Sequence, residues 1–154
     1  MEGVTTLRNL SDARHILQEA DKAASIVIIG GGILGLETAG ALSNHSNKKV
    51  TLLESFKWLM PRQLNQTAAE LLKSYIEGIG IDLKTGVFVQ DLVGDERVAG
   101  VHLKSGETIP ADLVIITAGV RSNSYLARLT GLQANHGVIV NDYMQTSDPN
   151  VYAA

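Results

Sequence analysis

The chain has 154 residues, the length of a single domain with room for a proper core. Thirteen Lys and Arg against sixteen Asp and Glu leave a net charge of −3, which argues against the broad basic field that nucleic acid or anionic lipid would need. There is no cysteine, so disulfides, Cys-ligated zinc, iron–sulfur clusters and thiol nucleophiles are excluded within it.

No apolar run approaches the roughly 18–20 residues that cross a bilayer. Met1-Glu2-Gly3-Val4 lacks the basic start and apolar stretch of a secretory leader. The expectation is a cytoplasmic protein with no membrane and no nucleic-acid partner. The Asn-x-Ser/Thr patterns at Asn9, Asn44 and Asn65 are then coincidental. Ser11 is placed to cap a helix from Asp12 to Ala23, with Ile16, Leu17 and Ala20 as its apolar stripe. Ser25-Ile26-Val27-Ile28-Ile29 follows, a short run of β-branched residues that suits a strand buried on both faces of a parallel sheet. Gly30-Gly31-Gly32 ends it, and Gly35 to Leu42 reads as helix. A polar connection, Ser43 to Lys49, leads to a second buried strand, Val50 to Glu54. Together these make a β-α-β unit. Thr67 to Gly78 is the next helix, with Ala68, Leu71, Leu72, Tyr75 and Ile76 recurring at three and four. Ile81-Asp82-Leu83 is a third strand.

The pattern then changes. Val87–Val93, Arg97–Leu103 and Thr108-Ile109 are strand-like and are split by Gly94-Asp95-Glu96 and Ser105-Gly106-Glu107. Turns this close together predict antiparallel hairpins. Leu113 to Ile116 returns to the buried-strand pattern. A short helix near Ser124–Leu129, a strand at Val138-Ile139-Val140 and a tail complete the chain. The fold class expected is α/β: a Rossmann-like parallel sheet with helices and an inserted three-stranded antiparallel β-meander. Residues 1–24 read as a connecting segment and helix, 25–120 as the core, and 121–154 as a C-terminal segment.

Gly30-Gly31-Gly32-Ile33-Leu34-Gly35 satisfies G-x-G-x-x-G after a strand and at the start of a helix, the context in which the pattern binds a dinucleotide. Gly30 permits the sharp turn, Gly32 the approach of a pyrophosphate, and Gly35 close packing of helix on strand. Glu54 closes the second strand about 20 residues further on, where a carboxylate accepts hydrogen bonds from the adenine ribose hydroxyls and repels a 2′-phosphate. NAD(H) is therefore expected in preference to NADP(H), with Lys57 and Arg62 near enough to soften the preference. A Walker loop is excluded, because Leu36-Glu37 stands where Lys-Ser/Thr is required. His15, His45, His102 and His136 share no ligand spacing, and no metal site is expected. No G-x-S-x-G or nucleophile–base pair is present. Glu70 and Glu77 read as a solvated helix face. Trp58 reads as packing or as a wall on the adenine side, and Gly86 to Val89 as a flank of that side.

Gly30 to Glu37 resembles the NADH-binding domain of FAD-dependent pyridine nucleotide-disulfide oxidoreductases, and Leu36-Glu37 is typical of the rubredoxin reductase, NADH oxidase and nitrite reductase branch. Leu59-Met60-Pro61-Arg62-Gln63-Leu64 is most similar to the large subunit of NAD(P)H-dependent nitrite reductases. Ile116 to Asn123 resembles the family's second dinucleotide-contacting turn, and Thr146 to Ala154 the segment that runs into its flavin motif. The resemblance implies that Gly30, Gly32, Ile33, Leu34, Gly35, Glu37, Glu54, Ala118 and Gly119 bind the dinucleotide, with Glu37 at the nicotinamide end and no other catalytic residue assigned. It implies hydride transfer from NADH to FAD. The family's own flavin half and its Gly-Asp after Ala154 are not in this sequence. The expectation is therefore a domain excised from a larger enzyme, not competent alone, whose partner is the FAD-binding domain of its parent chain. Ile33 departs from the aromatic that many relatives carry there, and Trp58 from an often basic residue. A rubredoxin or ferredoxin reductase, an NADH oxidase, or a stand-alone NAD(H)-binding regulatory module remain open alternatives, and the electron acceptor is not encoded in these residues.

Overall fold

The structure, a computed structural model, describes residues 1–45 and 48–154. Residues 46 and 47, in the expected Ser43–Lys49 connection and the Asn44-His45-Ser46 pattern, lie outside that description, as does the His45 side chain. Two compact units divide the chain, Met1–Gly119 and Val120–Ala154.

The first unit is built on a five-stranded parallel sheet in the order β1-β8-β2-β3-β4. Its strands are β1 (Val4–Thr6), β2 (Ser25–Ile29), β3 (Lys49–Glu54), β4 (Ile81–Thr85) and β8 (Leu113–Ile116). Helices α1 (Leu10–Lys22), α2 (Ile33–His45) and α3 (Gln66–Gly78) connect the strands. Between β4 and β8 the chain forms a separate antiparallel sheet, β5 (Val89–Val93), β6 (Gly100–Leu103) and β7 (Thr108–Pro110), in that order. The expected α/β class with an inserted three-stranded meander is what the chain adopts.

Strand alternation sorts the core into two layers. Ile26, Ile28, Leu52, Leu113 and Ile115 pack with Ile16 and Ala20 of α1, Ala39 and Leu42 of α2, and Ile76 of α3. Val27, Leu53 and Val114 point the other way, onto Val101, Leu103 and Ile109 of the small sheet. The parallel sheet is thus covered by helices on one face and by a second sheet on the other. This is why its strands read as unbroken apolar runs. Each fully buried Ile or Leu contributes roughly 1.5–3 kcal/mol.

Several local expectations change. α1 is capped by Asn9, not Ser11: the Asn9 side chain accepts from the Asp12 N–H at 3.0 Å, and the Asp12 carboxylate accepts from the Asn9 N–H at 3.0 Å. That reciprocal box satisfies two helix-end donors, whereas Ser11 spends its hydroxyl on Asn9. β1 has no forecast in the sequence and pairs with β8, Val4 opposite Val114. On α3 the buried residues are Ala69 and Ile76, while Leu71 and Tyr75 face outward; Leu17 of α1 is likewise exposed. The meander's second strand begins at Gly100, not at Arg97.

In the second unit, α4 (Tyr125–Leu129) is a short helix that buries no side chain. Val138-Ile139-Val140 is not a strand. It contributes one isolated bridge, Ala134 to Val138, and a second bridge joins Gln145 to Tyr152. With three residues and no neighbouring strand, that apolar run has no ladder to join.

Candidate functional site

The strand order reverses direction between β2 and β8. From β2 the chain steps to β3 and β4, then returns to lay β8 on the other side of β2. Crevices outside the carboxyl ends of strands at such a point are where open α/β sheets bind ligands. A cavity of about 600 Å³ lies there, within the size range of small-molecule and cofactor sites. Its walls come from the loops after β2, β3, β4 and β8.

The loop after β2 supplies Gly30, Gly31, Gly32 and Ile33 to the cavity. Gly30 has φ +116°, and a Cβ there would lie 2.7 Å from the Thr117 carbonyl oxygen. A Cβ on Gly35 would overlap the Gly30 carbonyl oxygen and sit 2.8 Å from Thr117 Oγ1. Loop, helix and β8 therefore meet backbone to backbone. Gly32 is different: nothing lies within 4 Å of where its Cβ would be. Its bareness leaves open space at the amino end of α2, where free N–H groups and the helix dipole favour an anion.

Glu54, at the end of β3, is buried. Its Oε2 accepts from the Gly31 N–H at 2.8 Å, and its Oε1 accepts from the Phe56 N–H at 2.8 Å and from the Ser55 hydroxyl at 3.1 Å. The acid thus ties the glycine loop to the β3 loop while bordering the cavity. From β8, the Thr117 hydroxyl donates toward the carbonyls of Gly30 at 3.0 Å and Ile29 at 3.2 Å. Ala118 and Gly119 follow it into the cavity wall, Gly119 with φ +102° and open space beside it.

The far wall is formed by Ser55, Phe56, Met60 to Gln63 and Val87 to Val89. The Glu54 carbonyl accepts from the Val87 N–H at 3.1 Å and the Phe56 carbonyl from the Gly86 N–H at 2.8 Å, which joins the two loops. Phe56 and Phe88 are each half exposed. Lys104 Nζ stands 5.9 Å from the centre of the Phe88 ring, a cation–π distance.

Of the sequence-predicted site residues, Gly30, Gly32, Ile33, Glu54, Ala118 and Gly119 line this one cavity. Gly35 lies beneath the loop, in contact with Gly30 and Thr117. Leu34 and Glu37 are on the first turns of α2, both exposed and outside the cavity lining. Trp58 is half-buried and borders a separate cavity of about 150 Å³; its Nε1 is buried with no hydrogen-bond partner. Thr117, Phe56, Met60, Gln63 and Leu59, whose buried side chain packs beneath Gly31, are not in the sequence-derived set. Thr117 falls in the Ile116–Asn123 turn and Leu59, Met60 and Gln63 in the Leu59–Leu64 run, while Phe56 carries no local signal. Among the described residues no group of His, Asp and Glu is arranged to hold a metal, and no helix is long and apolar enough to cross a membrane.

The family model described as pyridine nucleotide-disulphide oxidoreductase matches residues 1–154. The chain is 40% identical over 152 residues to an NAD(P)H nitrite reductase of Bacillus subtilis, which covers 99% of this chain and 19% of that one. It is 35% identical over 154 residues to a rubredoxin–NAD(+) reductase of Ectopseudomonas oleovorans, covering 99% of this chain and 40% of that one. Among solved structures, a ferredoxin reductase of Rhodopseudomonas palustris superposes with a TM-score of 0.94 at 30% identity, over 99% of this chain and 38% of that chain. The chain thus spans less than half the length of these relatives.

Proposed function

The chain belongs to the pyridine nucleotide-disulphide oxidoreductase family, and from that membership we propose that it is the NADH-binding part of a FAD-dependent oxidoreductase of the nitrite reductase kind, acting in the cytoplasm. The observation that carries this reading is the cavity at the β2–β8 reversal, with bare Gly32 at the amino end of α2 and buried Glu54 opposite.

The residues fit a dinucleotide. The space beside Gly32 takes a pyrophosphate against the free N–H groups of α2. Glu54 accepts from the adenine ribose, which favours NAD(H) over NADP(H). Val87 to Val89, with Phe56, flank the adenine side. Ala118 and Gly119 offer backbone to the nicotinamide ribose, with Ile33, Leu34 and Glu37 toward the nicotinamide end. A dinucleotide bound here would supply a hydride, and a flavin of the parent chain's FAD-binding domain would be its acceptor. This chain orients the donor and screens its charge.

Gly32→Val tests it. The empty fold has room for the new side chain, so the thermal midpoint and circular dichroism stay near wild type. The methyl groups occupy the pyrophosphate space, and NADH affinity in calorimetric titration falls at least about tenfold, the cost of losing a charge-assisted contact. Unchanged affinity would move the pyrophosphate elsewhere.

A further inference from the structure

The second cavity, of about 150 Å³, shares no lining residue with the larger one. Three elements bound it. The segment after β3 gives Lys57, Trp58 and Leu59, one face of α3 gives Glu70 and Lys73, and the end of β4 gives Thr85. At roughly 30 Å³ per water it has room for about five waters, or for an anion of a few heavy atoms.

Its charges and its donors point one way. Lys57 and Lys73 are the two cations of the wall and Glu70 the one acid. Glu70 Oε1 already accepts from Gln66 Nε2 at 3.0 Å. Lys57 enters no ion pair among the described residues. Lys73 stands 3.7 Å from Glu77, both half exposed, and such a pair is worth little. Gln66, the first residue of α3, is also in the wall, where the helix dipole favours negative charge. Trp58 Nε1 is the one buried side-chain nitrogen or oxygen among the described residues with no hydrogen-bond partner. An indole N–H can only donate, and a buried donor left unpaired is unfavourable. The atom is closed to solvent as well, so an acceptor in the cavity reaches it only when the ring turns. The missing bond lowers the cost of that turn.

We propose that this cavity is a second ligand site, for a small oxyanion, in which Lys57 and Lys73 supply the charge and the Trp58 N–H a directed hydrogen bond. Phosphate and carboxylate groups share that chemistry. The inference stands apart from the dinucleotide reading, because the two cavities have no residue in common.

Trp58 is the only tryptophan of the chain, so its emission reports on this cavity. The test is titration of the 154-residue chain, without dinucleotide, with sodium phosphate and with sodium acetate, sodium chloride holding the ionic strength constant. The expected result is a saturable shift in emission with a Kd of about 1 mM for the preferred anion, the worth of two charge-assisted contacts. The tighter of the two anions tells whether the natural ligand carries a phosphate or a carboxylate. Lys57→Ala and Lys73→Ala, both surface changes that leave the thermal midpoint near wild type, each raise that Kd about fivefold. Trp58→Phe keeps a ring in the wall and removes the N–H, and calorimetry shows a loss of similar size. Gly32→Val, which fills space in the larger cavity, leaves the emission shift in place. A linear drift that chloride reproduces overturns the proposal. So does a saturable shift that survives both lysine variants, and one that also disappears in Gly32→Val locates the anion at the glycine loop instead.

Discussion

Glu54 holds the glycine loop before any ligand arrives. Its two carboxylate oxygens face N–H groups on opposite sides, Gly31 and Phe56. Glu54→Gln keeps the size and sets an NH2 against one of those donors. The expected loss is about 1–3 kcal/mol of stability, the cost of a buried donor left without a partner, read by urea unfolding of the unliganded protein. A role confined to the ribose would leave that curve in place. Thr117 works in the same way from β8, its hydroxyl on the carbonyls of Gly30 and Ile29. The loop is therefore preorganised from two neighbouring strands, and little ordering is left for binding to complete.

At the scale of elements, the β2–loop–α2 unit depends on contact between Gly35 and Gly30. Gly35→Ala pushes a methyl into the Gly30 carbonyl and against Thr117, and backbone cannot move aside as a flexible side chain can. Overpacking of this kind costs about 1–3 kcal/mol, seen as a lower thermal midpoint, in contrast to Gly32→Val. Much of this unit was legible in the sequence. β2 is a β-branched run ended by glycines, and Glu54 ends the next such run, so both are marked by local chemistry. The same holds for Ala118-Gly119 after β8. β1 carries no such mark: Val4-Thr5-Thr6 becomes a strand only because β8 pairs with it from the far end of the unit. Leu71 and Tyr75 follow the helical period but face outward, because α3 lies on a sheet face already shared with two other helices and buries only a narrow stripe. The start of α1 at Asn9 was readable from the Asn9-x-x-Asp12 box. Leu59, Met60 and Thr117 fall in runs that the sequence marks as family-like, but their meeting with the glycine loop is made by contacts between distant loops, which no local pattern records.

Across the whole sheet unit, β2 and β8 are pinned at both ends. At the carboxyl ends the pin is Thr117. At the amino ends it is Asp112, whose Oδ2 accepts from the N–H groups of Ala24 at 2.9 Å and Ser25 at 2.8 Å and from the Ser25 hydroxyl at 2.9 Å. The Ser25 N–H and hydroxyl, then the Ala24 N–H and the Arg97 charge, hold the Asp112 carboxyl below the usual aspartate range against the opposing effect of burial. A lowered value means that the ionised form is favoured by folding. Its contribution is full above the unfolded value of about 3.9 and is lost as pH falls through the folded one. Asp112→Asn is expected to cost about 1 kcal/mol at pH 7, the carboxylate being partly solvated. The gap between the two melting curves closes as the pH is lowered below about 4. A gap that does not change with pH would mean that the side chain acts by packing alone.

The position of β8 also has a consequence for biosynthesis. It threads between β1 and β2, yet it is the last strand of that sheet to leave the ribosome. Until it emerges, the apolar β2 edge from Ile26 to Ile29 lacks its partner on that side, and β1 has no strand to pair with. Exposed edges of this kind template pairing with other chains. The time taken to translate from residue 29 to residue 116 therefore sets how long each new molecule is open to capture by its neighbours.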